Sequence, residues 1–180
     1  MKHVQLFICH HRFLLFLFIA ILLTAGCQNM NPDKDFKSFK NYSLSIIELQ
    51  NMRFLVYESQ VNTRKWIFSG RKEKAPFKDR LKKVHQNDFP EVISSIDTRK
   101  ENWNVSERET YDTLLKDVKQ LIALQDTVMS NLHCFDAYEN PTVYFETIPL
   151  AEKVTTKSDE IISALDKLID KFEEKINEPG

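Results

Sequence analysis

Glycine is nearly missing from this chain: there are 3 in 180 residues, one of them, Gly26, in the N-terminal leader. Tight turns between strands depend on glycine, so a chain this poor in it is expected to be helical with few connections. Cysteine is as scarce. Of the three, Cys9 and Cys27 lie near the N-terminus, which leaves Cys134 with no mate for an internal disulfide. His133 beside it adds a second metal-type side chain, but two ligands do not make a metal site. An excess of charge is also missing, with 25 Lys and Arg against 26 Asp and Glu. Loss of Lys2 and Arg12 with the leader makes the remainder mildly acidic, which gives no ground for a nucleic-acid partner. Catalytic patterns are missing too. There is no Gly-rich phosphate loop, no nucleophile elbow, no paired Glu-x-x-His and no Cys-x-x-Cys-His. Only His85 and His133 lie beyond the leader. The expectation is a binding protein without catalytic residues, metal or cofactor.

What is present begins with an unbroken apolar run, Phe13 to Ala25. At about 13 residues it is shorter than the roughly 20 that a helix needs to cross a bilayer. It has the length of a signal-peptide core, with positive charge before it and small residues after it. "LTAGC", Leu23 to Cys27, resembles the lipobox of bacterial lipoproteins, with Thr24 where Leu is usual. The resemblance implies cleavage before Cys27 and diacylation of its thiol, and two acyl chains hold a protein stably on a membrane. An uncleaved anchor is the alternative. It would bury His10, His11 and Arg12 in lipid, at a cost of several kcal/mol. The segments expected are a leader over 1–26, the lipidated Cys27 with a polar tether over 27–33, and a folded domain over 34–177. Gln28 after the cysteine, rather than Asp, implies outer-membrane sorting in a two-membrane envelope.

Four helical stretches follow. The first, Lys34 to Ser69, carries one stripe at Phe39, Tyr42, Ile46, Leu49 and Val56. A second stripe runs through Ile47, Phe54, Val61 and Phe68. Gly70 ends it. The second stretch, Pro76 to about Arg99, carries Phe77, Leu81, Val84, Phe89, Ile93 and Ile96, and Pro90 is expected to kink or restart it. The third opens on Ser106 and Glu109, spaced as a capping box. Its seam is Tyr111, Leu114, Val118, Leu121, Val128, Leu132 and Phe135, with Gln125 as the polar intruder. The fourth has Val154, Ile161, Leu165, Leu168 and Phe172, flanked by Ile162, Ile169 and Ile176. Either it begins near Pro149, or it begins at Pro141 behind Asn140 and kinks at Pro149. Each helix has an apolar face it cannot hide alone, so an all-α, antiparallel up-down four-helix bundle is expected.

"RFLVYESQVNTRKWIFSG", "ERETYDTLLKDVKQLIALQDTV" and "AEKVTTKSDEIISALDKLID" resemble the four-helix-bundle sensor domain of methyl-accepting chemotaxis receptors and sensor kinases. The resemblance covers roughly Lys34 to Lys175. It implies a periplasmic or other extracytoplasmic sensor domain, and homodimers by analogy. Those receptors carry a second membrane span and a signalling domain, and neither pattern follows Cys27 here. Signalling would then pass through a membrane or envelope protein. The candidate ligand residues are Arg53 and Gln125, as polar groups within the bundle, and Arg64, Arg71 and Lys72 in a basic first connection. That connection, Arg64 to His85, lies beside the aromatic third connection, Phe135 to Phe145, and suits a small anion or an acidic partner. A structural or adaptor lipoprotein that binds another envelope protein is the alternative function.

Overall fold

The computed structural model describes residues 32–72 and 74–177. The leader and Cys27 lie outside the described residues, as does most of the tether. The chain divides into two compact units. In the first, Met1–Ser38 with Pro179–Gly180, only the opening of the first helix is described. The second unit, Phe39–Glu178, holds the packed core.

The described residues are helical, without a strand. Helix α1 is Pro32–Ser69 and α2 is Pro76–Lys83. A π-helical turn, Val84–Asp88, leads into α3, Phe89–Arg99. After a 3-10 turn, Lys100–Asn102, come α4, Val105–Asn131, the short α5, Phe135–Glu139, and α6, Pro141–Asn177. No described helix is long and apolar enough to cross a membrane.

The α-helix restarts at Pro90 as expected, by way of the π turn: α3 begins at Phe89 with Pro90 in its first turn. A proline has no N–H to give the carbonyl four residues back, and its ring crowds that carbonyl. The chain widens by one residue just ahead of it. The Phe89 N–H reaches back five residues to the Val84 carbonyl, and Phe89, Val92 and Ile96 stay buried. The capping box of α4 also differs from the expected one by two residues. Asn104 accepts from the Glu107 N–H while Glu107 accepts from the Asn104 N–H, both at 2.9 Å. Asn caps as well as Ser, and this choice turns Glu107 inward. At α6 the longer alternative holds: Asn140 Oδ1 accepts from Thr142 and Val143 N–H, and Pro149 lies inside the helix.

Side-chain bonds give the sense of the helices. Tyr42 near the start of α1, Glu107 at the start of α4 and Lys175 near the end of α6 form one triad. Trp66 near the end of α1 donates to the Leu132 carbonyl just past α4, at 2.9 Å. Glu58 and Glu48 of α1 meet Arg80 of α2 and Ser95 of α3, numbers that run in opposite directions.

The expected seams of α4 and α6 are buried, apart from Phe135, which is exposed. Helix α1 departs from expectation. Its second stripe faces out: Ile47, Phe54 and Phe68 are exposed, and so is Phe39 of the first. The inner face is Ser45, Met52, Ser59 and Trp66 at sevenfold spacing, with Leu49, Val56 and Thr63. The small polar side chains are cheap to bury because each hydroxyl bonds its own helix: Ser45 to the Asn41 carbonyl, Ser59 to Val56, Thr63 to Ser59. Ser and Thr bond back in this way readily.

Candidate functional site

The interior forms two apolar clusters. The larger includes Leu49, Val56, Phe89, Trp103, Leu121, Leu165 and Phe172. The smaller includes Trp66, Leu81, Val128, Leu132, Tyr138 and Ala151. A polar layer divides them. Gln125, fully buried, donates through Nε2 to Ser59 Oγ at 3.0 Å. Its Oε1 lies 2.7 Å from His85 Nε2, and His85 Nδ1 lies 3.0 Å from Asp126. Gln125 is therefore buried as the sequence indicated, but both ends of its amide are occupied within the chain. It reads as a residue that fixes how α1, α4 and the π turn line up.

Arg53 is not an interior group. Its side chain is 43% exposed, and it donates to Asp166 of α6 at 2.5 Å. It sits on the rim of a groove between α1 and α6 lined also by Gln50, Phe54, Tyr57, Ile162 and Asp166. The physical reason is angular: a position three residues before Val56 need not share its face once the inner stripe is Ser45, Met52, Ser59 and Trp66. Arg53 and Gln125 thus belong to different places, and neither joins the third group.

That third group is the end of α1. Arg64, Lys65, Arg71, Lys72, Lys74 and Lys83 are all exposed. Arg71 lies 3.7 Å from Glu139; the others make no ion pair among the described residues. Two cations of the same segment are used structurally. Lys78 is buried over the rings of Trp66 and Tyr138, at 4.9 and 5.3 Å from their centroids. Arg80 forks between Glu58 and Asp88 at 2.5 Å each. The hydrogen bond it donates to Glu58 foremost, offset in part by burial, holds its guanidinium well above the ordinary arginine range.

The tip is closed by Tyr138, whose hydroxyl donates to the Trp66 carbonyl at 2.7 Å. Burial pushes that phenol well above the ordinary tyrosine value, with Tyr144 adding to it. Gly70 makes the approach possible, since a β-carbon there would lie 2.1 Å from both the Trp66 carbonyl oxygen and Tyr138 Oη. The opposite end is closed by the triad. Glu107 is fully buried and pairs with Lys175, while Tyr42 donates to Glu107 at 3.3 Å and accepts from Lys175 at 3.1 Å. Burial pulls the Lys175 ammonium down, but its bonds to Glu107 and Tyr42 outweigh that and hold it above the ordinary lysine value.

His133 and Cys134 do not act together: His133 Nδ1 faces the Ser130 carbonyl, and Cys134 is a half-buried free thiol. Among the described residues no three His, Cys, Asp or Glu side chains gather as a metal site. Sequence reading missed both tryptophans and Glu107. The two tryptophans belong to no wide apolar stripe, but a Trp in so small a complement is itself a signal, because its N–H demands a partner when buried. Comparison with family models, with curated proteins and with solved structures finds no match to this chain.

Proposed function

We propose that this chain is a lipid-anchored, extracytoplasmic binding protein. In this reading residues 34–177 pack as an antiparallel up-down four-helix bundle of the chemoreceptor sensor type. Its basic tip takes an anionic ligand or the acidic surface of a partner, and occupancy passes to a membrane or envelope protein. Binding, not catalysis, is its activity, and the outer membrane is its place where the envelope has two membranes. One observation carries the reading: Arg64, Lys65, Lys72, Lys74 and Lys83, close in the sequence around the first connection, are exposed and make no ion pair among the described residues. Like charges held side by side cost free energy unless an anion relieves them.

A thermal-shift series on the full chain in detergent micelles, with inorganic phosphate, citrate and polyphosphate, tests the tip. A ligand of the folded state raises the melting temperature, and the rise should vanish in Arg64→Ala/Lys72→Ala. No rise with any anion would reject the ligand reading. The alternative, a structural adaptor lipoprotein, is favoured by the Gln125 amide, whose two ends are both occupied within the chain. A stoichiometric envelope partner captured without any thermal shift would select it. The anchor has its own test: Cys27→Ser should move the protein from the membrane to the soluble fraction, and retention would support the uncleaved alternative.

A further inference from the structure

We infer that His85 is a proton-operated latch between the π turn and α4, closed on Asp126 when the imidazole carries two protons and open when it carries one. Neither the anchor nor the basic tip is involved. The Ser59 hydroxyl has a single proton, and it goes to the Val56 carbonyl at 2.8 Å. Ser59 Oγ can therefore only accept from the Gln125 amide, 3.0 Å away. That fixes the amide: Nε2 faces Ser59, and Oε1, which only accepts, faces His85 Nε2 at 2.7 Å. Turning the amide over would set Oε1 against a hydroxyl oxygen whose proton is already committed. His85 Nε2 must then carry a proton in every state of the ring. A neutral imidazole has one N–H, so the bond from Nδ1 to Asp126 Oδ1, at 3.0 Å, exists only when a second proton arrives.

The surroundings leave that second proton to decide. The His85 side chain is 6% exposed, and its two nitrogens bond only Gln125 and Asp126 among the described residues. Both partners come from α4. From α3 the ring of Phe89 lies 6.3 Å away. On α1 the charged neighbour of Ser59 is Glu58, which is bound to Arg80, and Asp88 at the end of the π turn is bound to the same guanidinium. Of the cations that precede His85 in α2, Lys82 lies over the Trp66 ring and Lys83 is exposed. Burial disfavours the charged imidazolium, while the Gln125 oxygen and the Asp126 carboxylate favour it. On loss of the second proton Nδ1 turns a lone pair toward a carboxylate, and Asp126, 59% exposed, is free to face water instead. The sign follows. The protonated ring makes one more bond in the folded chain than in the unfolded one, so its contribution is present on the acid side and lost as pH rises. The joint between α4 and the π turn therefore loosens as pH climbs through the histidine range, about 6.5, while the bonds of Gln125 persist.

The test uses the full chain in detergent micelles. Asp126→Asn, His85→Gln and the double variant form a double-mutant cycle on urea unfolding. The coupling between the two positions should be several-fold larger at about pH 5.5 than at about pH 8, because histidines outside the network titrate alike in all four chains. Asp126 stands at the surface, so Asp126→Asn should keep the parent's helical dichroism, and a flat coupling then reports the latch rather than misfolding. Nitrogen-15 spectra of the imidazole, assigned by their loss in His85→Gln, give a second readout. They should show both ring nitrogens protonated at about pH 5.5 and the Nε2–H tautomer at about pH 8. Equal coupling at the two pH values would overturn the proposal. So would the Nδ1–H tautomer on the basic side, or a ring that holds the same protons throughout.

Discussion

The two apolar clusters are held by different means. The larger one is periodic packing: Leu114, Val118 and Leu121 of α4 against Ile161, Leu165 and Phe172 of α6, with Trp103 edge-on to Tyr111 and Phe172 at 5.6 and 4.9 Å. The smaller depends on polar tips that find main-chain carbonyls. Trp66 Nε1 reaches the Leu132 carbonyl, and Tyr138 Oη reaches the Trp66 carbonyl. Both acceptors lie at helix C-termini, where the last four carbonyls have no partner within the helix. Volume and periodicity suffice for the first cluster, while the second needs particular atoms at particular helix ends. Substitutions in the second should therefore act locally, and those in the first on the whole domain. Each cluster holds one of the chain's two tryptophans, so Trp66→Phe and Trp103→Phe backgrounds report the two separately.

Leu121→Asp should have the largest effect. Leu121 is fully buried in the larger cluster, and an unpaired buried charge costs several kcal/mol, so both tryptophans should lose their folded emission and the helical dichroism should collapse. Retention of either signal would show that the clusters fold independently. Gly70→Ala comes next, at about 1–3 kcal/mol through steric conflict with Tyr138 and the Trp66 carbonyl. In denaturant it should move the Trp66 transition and leave that of Trp103 nearly in place; equal shifts would erase the distinction drawn between the two ends.

Gln125→Leu removes the central member of the dividing layer. It leaves Ser59 and His85 short of a partner, at about 1–2 kcal/mol. Adding Ser59→Ala should recover part of that loss, measured as a double-mutant cycle on the urea midpoint. The smallest effect belongs to Tyr111→Phe. The Tyr111 hydroxyl is buried without a hydrogen-bond partner among the described residues, so its removal should change stability by less than about 0.5 kcal/mol or raise it. A loss well above that would reveal a partner for the hydroxyl.

The difference between the clusters is also a difference in what a sequence discloses. The helical character, the seams of α4 and α6, and the burial of Gln125 follow from glycine scarcity and sevenfold spacing, because wide apolar stripes have one way to escape water. Helix α1 defeats the same logic. Of its two expected stripes, the second, with Phe54 and Phe68, faces out, while Ser45, Ser59 and Thr63 share the inner face with Ile46, Leu49, Val56 and Trp66. Hydrophobicity alone therefore marks two faces, and the inner one differs in also burying hydroxyls that bond the helix's own carbonyls. Arg53 is misplaced for the same reason. The cap of α4 slips because Asn104–Glu107 and Ser106–Glu109 carry equal local signals, and only the partner Lys175, far along the chain, separates them. The basic tip was legible as composition. That Lys78 and Arg80 are absorbed by rings and carboxylates, leaving Arg64, Lys65 and Lys72 at the surface, depends on contacts that no spacing encodes.

The wide turn at Val84–Asp88 sets how much length this part of the chain can absorb. Inserting a residue into a helix ordinarily rotates everything beyond it by about 100° and swings the greasy side toward water. Here one surplus residue is taken up within five positions, and Phe89 and Ile96 still point home. The stretch ahead of Pro90 is where this helix absorbs a surplus residue while the interior stays in step.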